Sequence, residues 1–389
     1  MTPRGFPAAE FQARTRRAQG LMQAAGLAAL FVTTEADLRY FSGFLTRFWE
    51  SPTRPWFLVL PASGDPIAVI PAIGAELMGK TWVRDIHTWR APDYADDGVS
   101  LLADTLAEVA GKTGRIGTPM GLESHLRMPL AGFAALQARL GAGRIVSDEG
   151  IVARLRAVKS EAEIAKIGTA CAIAGRAFVR VGEFAAEGVP LDQIFRRFQI
   201  SCLDEGADWV PYLAGGAGPD GYGDVISPAT EVPLARGDIL MLDTGLVHDG
   251  YFCDYDRNFA MGAPSDAARR GYDRLIEAVA AALPLARPGN TAADLFHAMD
   301  RIVTGGAGGS EAGRLGHGLG MQLTEGMSLI PADHTVLEAG MVLTLEPGIE
   351  IAPGRILVHE ENIVVRESGA EMLSPAAPVE LPVLARDTV

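Results

Sequence analysis

The stretch ILMLDTGLVHDGYFCDYDRNF, residues 239–259, indicates the fold of the second half of this 389-residue chain. It contains two apolar runs typical of buried strands, but carboxylates interrupt both, at Asp243 in the first and at Asp254 and Asp256 in the second. Because a buried carboxylate needs a partner, these interruptions indicate a functional site. The Val-His-Asp-Gly segment between the runs is turn-like and predicts a β-hairpin in which Asp243 faces Asp254.

Three later segments add side chains of the metal-ligand type. They are GHGLG (316–320) with His317, TLEPG (344–348) with Glu346, and VHEEN (358–362) with Glu360. Each residue alone has an ordinary explanation, such as an ion pair with arginine or a satisfied core histidine. Two carboxylates about 4 Å apart, however, repel by about 4 kcal/mol at an effective dielectric constant near 20. If all five residues converge, two divalent cations would compensate the repulsion. An oxygen-rich set with one imidazole suits Mn²⁺, Co²⁺, Fe²⁺ or Zn²⁺.

The overall composition excludes several classes of function. The chain has 34 lysines and arginines against 48 aspartates and glutamates, a net charge of −14. Without a basic cluster, no nucleic-acid partner is expected. The apolar run at residues 24–32 is too short to span a bilayer and lacks a cleavage site, so we expect a soluble, cytoplasmic protein with no membrane partner. Three cysteines without a C-x-x-C pair predict neither disulfides nor a zinc–thiolate site.

Helical and strand patterns predict two domains, residues 1–155 and 156–389. The first shows an α/β pattern, with helices at 14–25 and 101–109 and buried strands at 27–33, 56–60 and 67–70. Ser160-x-x-Glu163 is a capping box that begins a long helix of the second domain. This domain is predicted to be α+β, with helices at 191–203, 267–283 and from 291, and strands at 239–242, 251–259, 341–345 and 356–365.

Two glycine-rich motifs resemble phosphate-binding loops but lack the surrounding structure. Residues 74–81 match G-x-x-x-x-G-K-[ST], yet the interior favours a helix, and a strand rather than a helix is predicted to follow. Residues 216–221 match G-x-G-x-x-G, but no helix follows them, and a plain loop is predicted there. Nucleotide binding is therefore not expected at either motif.

The acidic and histidine segments together resemble the pita-bread metallohydrolases, a family that includes methionine aminopeptidase, aminopeptidase P, prolidase and the metal-free relative creatinase. Its metal-binding members use Asp, Asp, His, Glu and Glu in this chain order, and the matching residues here are Asp243, Asp254, His317, Glu346 and Glu360. ADLRYFSGF (36–44) is similar to the family's N-terminal domain, and RAVKSEAEI (156–164) is similar to its inter-domain joint.

The resemblance implies a creatinase-like α/β N-terminal domain followed by an α+β pita-bread catalytic domain. It also implies a homodimer with two metal ions in each chain, and Glu346 as both a ligand and the general base. Glu325 and Arg257 match family positions as well, so Glu325 is a further candidate catalytic residue.

The chain departs from the peptidase pattern near the predicted metals. Ile226 and Thr324 stand where the peptidases carry histidines that contact the substrate and the tetrahedral intermediate. Asp256 replaces a threonine or serine, and Val-His-Glu-Glu at 358–361 replaces Arg-x-Glu-Asp. We predict that Asp256 is an extra ligand or a proton acceptor, with a salt bridge to a nearby arginine as the alternative. The loss of two hydrogen-bonding groups predicts slow cleavage of ordinary Xaa-Pro peptides.

The loop RFWESPTRPW, residues 47–56, is rich in arginine and aromatic residues. This composition suits the binding of a carboxylate beside an apolar group, so Arg47, Arg54 and Trp49 are predicted to bind substrate. In the family the matching loop often reaches the partner subunit's site. The alternative is an arginine-rich loop that is simply solvated.

Three hypotheses for the function follow. The first is a dinuclear-metal hydrolase that resembles Xaa-Pro peptidases and acts on a small molecule or short peptide, at an amide next to proline or a proline-like group. The second is a creatinase-like, ectoine-hydrolase-like or sulfonium-lyase-like catabolic enzyme for a small zwitterion. The third is a non-catalytic binding module, which the complete ligand set disfavours.

Overall fold

A computed structural model of the protein describes residues 3–51, 54–309 and 313–384. These residues form two compact units, the first Pro3–Arg156 and the second beginning at Ala157. Within the described ranges, every helix is too short or too polar to cross a membrane.

The first unit is built on a mixed sheet. Its elements are α1 (Ala8–Ala24), β1 (Leu27–Val32), α2 (Glu35–Ser42), β2 (Phe57–Pro61), β3 (Ile67–Pro71), α3 (Ala75–Gly79), β4 (Asp85–Trp89), α4 (Val99–Ala110), β5 (Arg115–Thr118), α5 (Leu130–Leu140), β6 (Ile145–Ser147) and α6 (Ile151–Ala157). The strand order is β4-β3-β2-β1-β5-β6, and β1 pairs antiparallel with β2 and parallel with β5. Because α1 and α4 both pack on β1 and β2, the consecutive residues Leu30 and Phe31 are both fully buried. The predicted α/β pattern is confirmed.

In its described residues, the second unit combines helices with three sheets. Its elements are α7 (Glu161–Val179), α8 (Leu191–Asp204), β7 (Trp209–Pro219), β8 (Asp238–His248), β9 (Tyr251–Phe252), β10 (Tyr255–Met261), α9 (Asp266–Ala282), α10 (Ala292–Val303), β11 (Val342–Leu345), β12 (Gly348–Ala352), β13 (Arg355–Val358), β14 (Glu361–Arg366), β15 (Gly369–Met372) and β16 (Val383–Leu384). The sheet orders are β16-β10-β8-β7 with β9 paired to β8, β11-β14-β15, and β12-β13. This is the predicted α+β arrangement.

Local sequence signals fix several of the helix ends in the second unit. The predicted capping box is present at α7, where the Ser160 side chain and the Glu163 side chain each bond the other residue's backbone N–H. A second capping box joins Thr291 and Asp294 at the start of α10. Apolar side chains of α9, α10, β11 and β14 share one core, among them Leu275, Phe296 and Ile363.

The predicted hairpin forms, but the expected pairing within it is wrong. Asp256, not Asp254, is the cross-strand partner of Asp243 in the antiparallel pair of β8 and β10. The reason is that Cys253 and Asp254 lie between β9 and β10, outside the ladder. Strand alternation counted from Tyr251 therefore does not carry through to Asp254.

The single strand predicted at 356–365 is also interrupted, and the structure has two strands there, β13 and β14. His359 and Glu360 lie between β13 and β14 and have left the regular ladder. Both breaks coincide with candidate metal ligands, Asp254 and Glu360. Because a residue at such a break is outside the ladder, its carboxylate is not bound by strand alternation. The apolar residues on either side of the break can stay buried.

The structure agrees with the prediction for one of the two glycine-rich motifs and differs in part for the other. Residues 75–79 form α3, and β4 follows, as predicted. The plain loop predicted at 216–221 is wrong in part, because residues 216–219 belong to β7. A Cβ on Gly216 would lie 2.8 Å from the carbonyl oxygen of Asp224, and one on Gly218 would lie 2.7 Å from that of Gly221. These glycines therefore serve close packing of the strand against the following turn.

Candidate metal centre

Four of the five predicted ligands converge in the second unit. One ligand atom each from Asp254, His317, Glu346 and Glu360 lies within 4.8 Å of all the others. Nε2 of His317 is 2.8 Å from Oε1 of Glu346 and 3.4 Å from Oδ2 of Asp254. Glu346 has the most accessible side chain of the four, 19% exposed, and the others are buried. The cluster is thus enclosed, with Glu346 as its most exposed member.

The fifth predicted ligand, Asp243, is held beside this cluster from β8. Its Oδ2 accepts a hydrogen bond from the hydroxyl of Tyr212 on β7, at 3.0 Å. Burial, together with the charges of Asp254, Asp256 and Glu346, raises the pKa of Asp243 well above its ordinary value. Asp243 therefore experiences the same concentration of negative charge as the cluster.

Hydrogen bonds from the strand β11 and the turn at 316–320 orient His317. Its Nδ1 lies 2.9 Å from the carbonyl oxygen of Gly318, which requires Nδ1 to donate and turns Nε2 toward the carboxylates. Its backbone N–H donates to Oγ1 of Thr344, whose hydroxyl in turn donates to Oε1 of Glu346 at 2.7 Å. One threonine thus links the imidazole and a carboxylate of the centre.

Asn362 on β14 fixes the main chain of Asp254. Its Oδ1 accepts the backbone N–H of Asp254 at 2.9 Å, and its Nδ2 donates to the backbone carbonyl oxygen of Asp254. Asn362 is fully buried and pairs with Thr344 across the ladder of β11 and β14. Asp254 lies between β9 and β10 and therefore has no partner in the strand ladder. The side-chain amide of Asn362 takes the place of that partner.

Several buried carboxylate oxygens in this region have no hydrogen-bond partner. Among the described residues, the buried carboxylate oxygens without one are Asp243 Oδ1, Asp254 Oδ1, Asp256 Oδ2 and Glu360 Oε1. Each such oxygen carries a desolvation penalty of about 1 to 3 kcal/mol, or more when charged. Cations bound among these oxygens would remove that penalty, so the donor set fits divalent metal ions.

Protonation in the metal-free chain compensates part of the repulsion. Burial lowers the pKa of His317, but the acceptors Asp254 and Glu346 outweigh it and raise this pKa to about 10. Burial raises the pKa of Asp254 to about 7, although His317 opposes the shift. Burial alone would also raise the pKa of Glu346, but hydrogen bonds from His317 dominate and lower it to about 2. Burial and the charge of Asp254 raise the pKa of Glu360 well above its usual range.

The two other predicted catalytic residues have charged or ionisable partners. Oδ1 of Asp256 lies 3.3 Å from Nδ1 of His359, so its side-chain partner is a histidine rather than the arginine of the alternative. The carboxylate of Glu325 lies 2.9 Å from Nζ of Lys159 in a buried ion pair. The backbone N–H of Glu325 donates to the carbonyl oxygen of Gly318, so Glu325 also braces the turn that carries His317.

The positions that lack the family histidines are occupied differently. Ile226 is 85% exposed on a loop after β7. Oγ1 of Thr324 accepts a hydrogen bond from the guanidinium of Arg314 at 3.2 Å. The charge of Arg314 also lowers the pKa of Asp254, against the larger effect of burial. An arginine three residues before His317 therefore brings a positive charge close to the centre.

The predicted substrate-binding residues belong to the first unit. Arg47 is exposed and lies 3.7 Å from the carboxylate of Glu50. The ring of Trp49 packs against Trp56 and lies under the guanidinium of Arg127, at 4.7 Å from the ring centroid. Arg127 also donates to the backbone carbonyl oxygens of Trp49, Ser51 and Arg54. Pro52 and Thr53 of this loop lie outside the described residues.

Sequence reasoning missed three residues of this site, Tyr212, Arg314 and Asn362. Tyr212 lies in β7, which we did not predict because its glycines suggested a loop. Asn362 follows the predicted ligand Glu360 by two residues, a position that could have drawn attention to it. Arg314, three residues before His317, offered a similar signal as a cation near an acidic site.

Comparison with known proteins defines the class to which this chain belongs. Residues 165–367 match the model of metallopeptidase family M24, and residues 14–158 match the creatinase/prolidase N-terminal domain. The chain therefore belongs to metallopeptidase family M24, which is the pita-bread family that its sequence resembles. It is a metal-dependent hydrolase.

Individual relatives cover nearly the whole chain. A probable dipeptidase PepE of Mycobacterium tuberculosis is 31% identical over 376 residues, covering 95% of this chain and 96% of that protein. The crystal structure of dipeptidase PepE from Mycobacterium ulcerans has a TM-score of 0.84 at 30% identity, covering 98% of this chain and 99% of that one. A prolidase from Thermococcus sibiricus shares the fold, with a TM-score of 0.85 at 22% identity over 96% of this chain and 99% of that one.

Metal binding is expected to release protons. At pH 6 to 8, His317 with its pKa near 10 is protonated in the metal-free chain, and Asp254 titrates near pH 7. A ligand must lose its proton to bind a cation. We therefore expect release of at least one proton per chain at pH 8, and more at pH 6. Titration calorimetry with Mn²⁺, repeated in buffers of different ionisation enthalpy, measures this number. Binding without proton release at both pH values would contradict the prediction.

Proposed function

We propose that this protein is a dinuclear-metal peptidase that hydrolyses short peptides, with an amide next to proline or a proline-like group as the target bond. The observation that carries the proposal is the convergence of Asp254, His317, Glu346 and Glu360 beside Asp243, with buried carboxylate oxygens left unpaired. The relatives support it, since proteins described as dipeptidase and prolidase match this chain over nearly its full length.

The residues proposed to hold two divalent ions are Asp243, Asp254, His317, Glu346 and Glu360. Four carboxylates and one imidazole suit Mn²⁺, Co²⁺, Fe²⁺ or Zn²⁺. When bound, such ions lower the pKa of a coordinated water and polarise the carbonyl of the scissile amide. The hydrogen bonds of Thr344, Tyr212 and Asn362 would keep the ligands in place as substrate enters and leaves.

Glu346 is proposed as the proton acceptor of the reaction. It is the most accessible of the four clustered residues, with its side chain 19% exposed. A carboxylate that a coordinated water can reach is able to take the proton of that water. Asp256 remains a second candidate, because its Oδ2 is buried without a hydrogen-bond partner. For Glu325, the ion pair with Lys159 supports a role in holding the His317 turn.

Three arginines are proposed to bind the carboxylate of a short peptide. Arg47 and Arg54, beside Trp49, are candidates from the loop of the first unit, which we propose acts at the site of a partner subunit in a homodimer. Arg314 is a candidate from the catalytic unit itself, because it contacts Thr324 and influences Asp254. A bidentate arginine would favour substrates with a free C-terminus.

A second candidate function keeps the same metals but a smaller substrate. The replacement of two family histidines by Ile226 and Thr324 favours it, because neither side chain can replace an imidazole next to a developing oxyanion. This candidate is a catabolic enzyme for a small zwitterion of the creatine, ectoine or sulfonium type.

Metal content is the first test of the proposal. We expect elemental analysis of the protein reconstituted with Mn²⁺ to give up to two ions per chain, and we expect chelation to remove the metal together with the activity. His317→Ala should bind less metal while remaining folded by circular dichroism. Activity that survives complete removal of the metal would overturn the proposal.

A substrate panel separates the two candidate functions. We expect cleavage of Xaa-Pro dipeptides with kcat/KM below about 10⁵ M⁻¹s⁻¹, because two stabilising groups of the peptidases are missing. The panel contains Xaa-Pro dipeptides, longer peptides, creatine and betaines, each assayed with Mn²⁺, Co²⁺ or Zn²⁺. Turnover of a zwitterion without cleavage of any peptide would favour the second candidate. A dipeptide kcat/KM well above 10⁵ M⁻¹s⁻¹ would show that the missing histidines have been replaced.

The carboxylate anchor can be located by single substitutions. We expect Arg314→Met, Arg54→Met or Arg47→Met to raise KM for a dipeptide by about 10-fold to 150-fold, the equivalent of about 1.5 to 3 kcal/mol. The same variant should leave KM for the C-terminal amide of that dipeptide unchanged. Arg139→Met, on helix α5 of the first unit, serves as the control. If all three variants behave like the control, the carboxylate is bound elsewhere.

A further inference from the structure

Glu360 is flanked by a group of buried ionisable side chains, of which the proposed mechanism uses only Asp256, as the second candidate for the proton acceptor. We call Asp256, Arg257, His359 and Glu361 the His359 cluster. Nδ1 of His359 lies 3.3 Å from Oδ1 of Asp256, and Nε2 lies 3.4 Å from Oε1 of Glu361. His359, Asp256 and Glu361 are each no more than 2% exposed. The imidazole thus lies between two carboxylates, out of contact with solvent.

The imidazole of His359 and the guanidinium of Arg257 lie beside the two carboxylates. Both ring nitrogens of His359 are within ion-pair distance of a carboxylate oxygen, although Nδ1 makes no hydrogen bond of good geometry. Nη2 of Arg257 lies 3.0 Å from Oε2 of Glu361. Removing the His359 side chain would therefore take a polar neighbour from two buried carboxylates at once.

The cluster also holds the backbone of Glu360 at both ends. Oδ1 of Asp256 accepts the N–H of Glu360 at 3.0 Å, and Nη1 of Arg257 donates to the carbonyl oxygen of Glu360 at 3.1 Å. Glu360 lies in the break between β13 and β14, where the strand ladder does not hold it. These two side chains therefore take over the function of ladder partners for this residue.

We propose that His359 is a positioning residue for the metal ligand Glu360. It fixes Asp256, which binds the N–H of Glu360, and Glu361, which binds the arginine that holds the carbonyl oxygen of Glu360. The inference rests on the proposed role of Glu360 as a ligand. Groups that orient ligands from outside the coordination sphere typically change metal affinity by about 10-fold to 100-fold.

The test uses Co²⁺ alone as the probe, titrated into the metal-free full-length protein and followed by visible absorption. We expect His359→Gln to weaken Co²⁺ binding by about 10-fold to 100-fold and to alter the absorption bands, which report ligand geometry. His248→Gln is the matched control. His248 is also a buried histidine of the second unit, and its Nδ1 contacts the carbonyl oxygen of Gly206. It should leave both the affinity and the bands unchanged.

The double variant Asp256→Asn/His359→Gln sharpens the result. Because the two residues form a pair, its loss of affinity should be smaller than the product of the two single losses. If His359→Gln fails to fold, Glu361→Gln carries the same test, since it keeps the shape of the side chain and removes the charge of the other carboxylate that contacts His359. If folded His359→Gln binds Co²⁺ with the affinity and the absorption bands of the wild-type protein, the positioning role of His359 is overturned and the proposed function is not affected. Failure of the wild-type protein to bind Co²⁺ would overturn the proposed function as well.

Discussion

Electrostatic repulsion among buried carboxylates is the constraint on which the second unit depends. Asp243, Asp254, Glu346 and Glu360 come together with one imidazole, and at about 4 Å each pair of charges repels by about 4 kcal/mol even at an effective dielectric constant near 20. In the metal-free chain this repulsion is reduced by protonation, because His317 is charged and the pKa values of Asp254 and Glu360 are raised. Bound cations would replace those protons, so metal affinity and protonation are linked at this site.

The same constraint accounts for the strand breaks at two of the proposed ligands, whereas Asp243 stays within the paired strand β8. A carboxylate within a fully paired strand alternates with its apolar neighbours and cannot be aimed independently. Asp254 and Glu360 lie at breaks between strands, and side chains then hold their main chains: Asn362 for Asp254, and Asp256 and Arg257 for Glu360. Local order is thus kept by side-chain hydrogen bonds where the ladder has been interrupted.

Much of the fold and most of the ligand set could be predicted from the sequence, because both depend on local patterns. Apolar periodicity gave the hairpin, and the capping box at Ser160 gave the start of α7. The pairing of Asp243 with Asp256 could not be predicted, because it depends on where the ladder is interrupted, which alternation does not reveal. The contact between Asp256 and His359 joins residues about a hundred positions apart. Both segments carry unusual residues, but no local pattern in the sequence indicates that they are in contact.

Buried charge in the second unit falls into two kinds, and the distinction indicates where chemistry can occur. In the first kind, Lys159 with Glu325 and Arg257 with Glu361, a protein cation satisfies the carboxylate, and the pair has no capacity left for a ligand. In the second kind, oxygens of Asp243, Asp254 and Glu360 are buried without a hydrogen-bond partner. Unpaired buried oxygens destabilise the chain on their own. Their concentration at one place is therefore explained by a cation that the folded protein binds there, while the paired charges around it hold the ligands in place against their mutual repulsion.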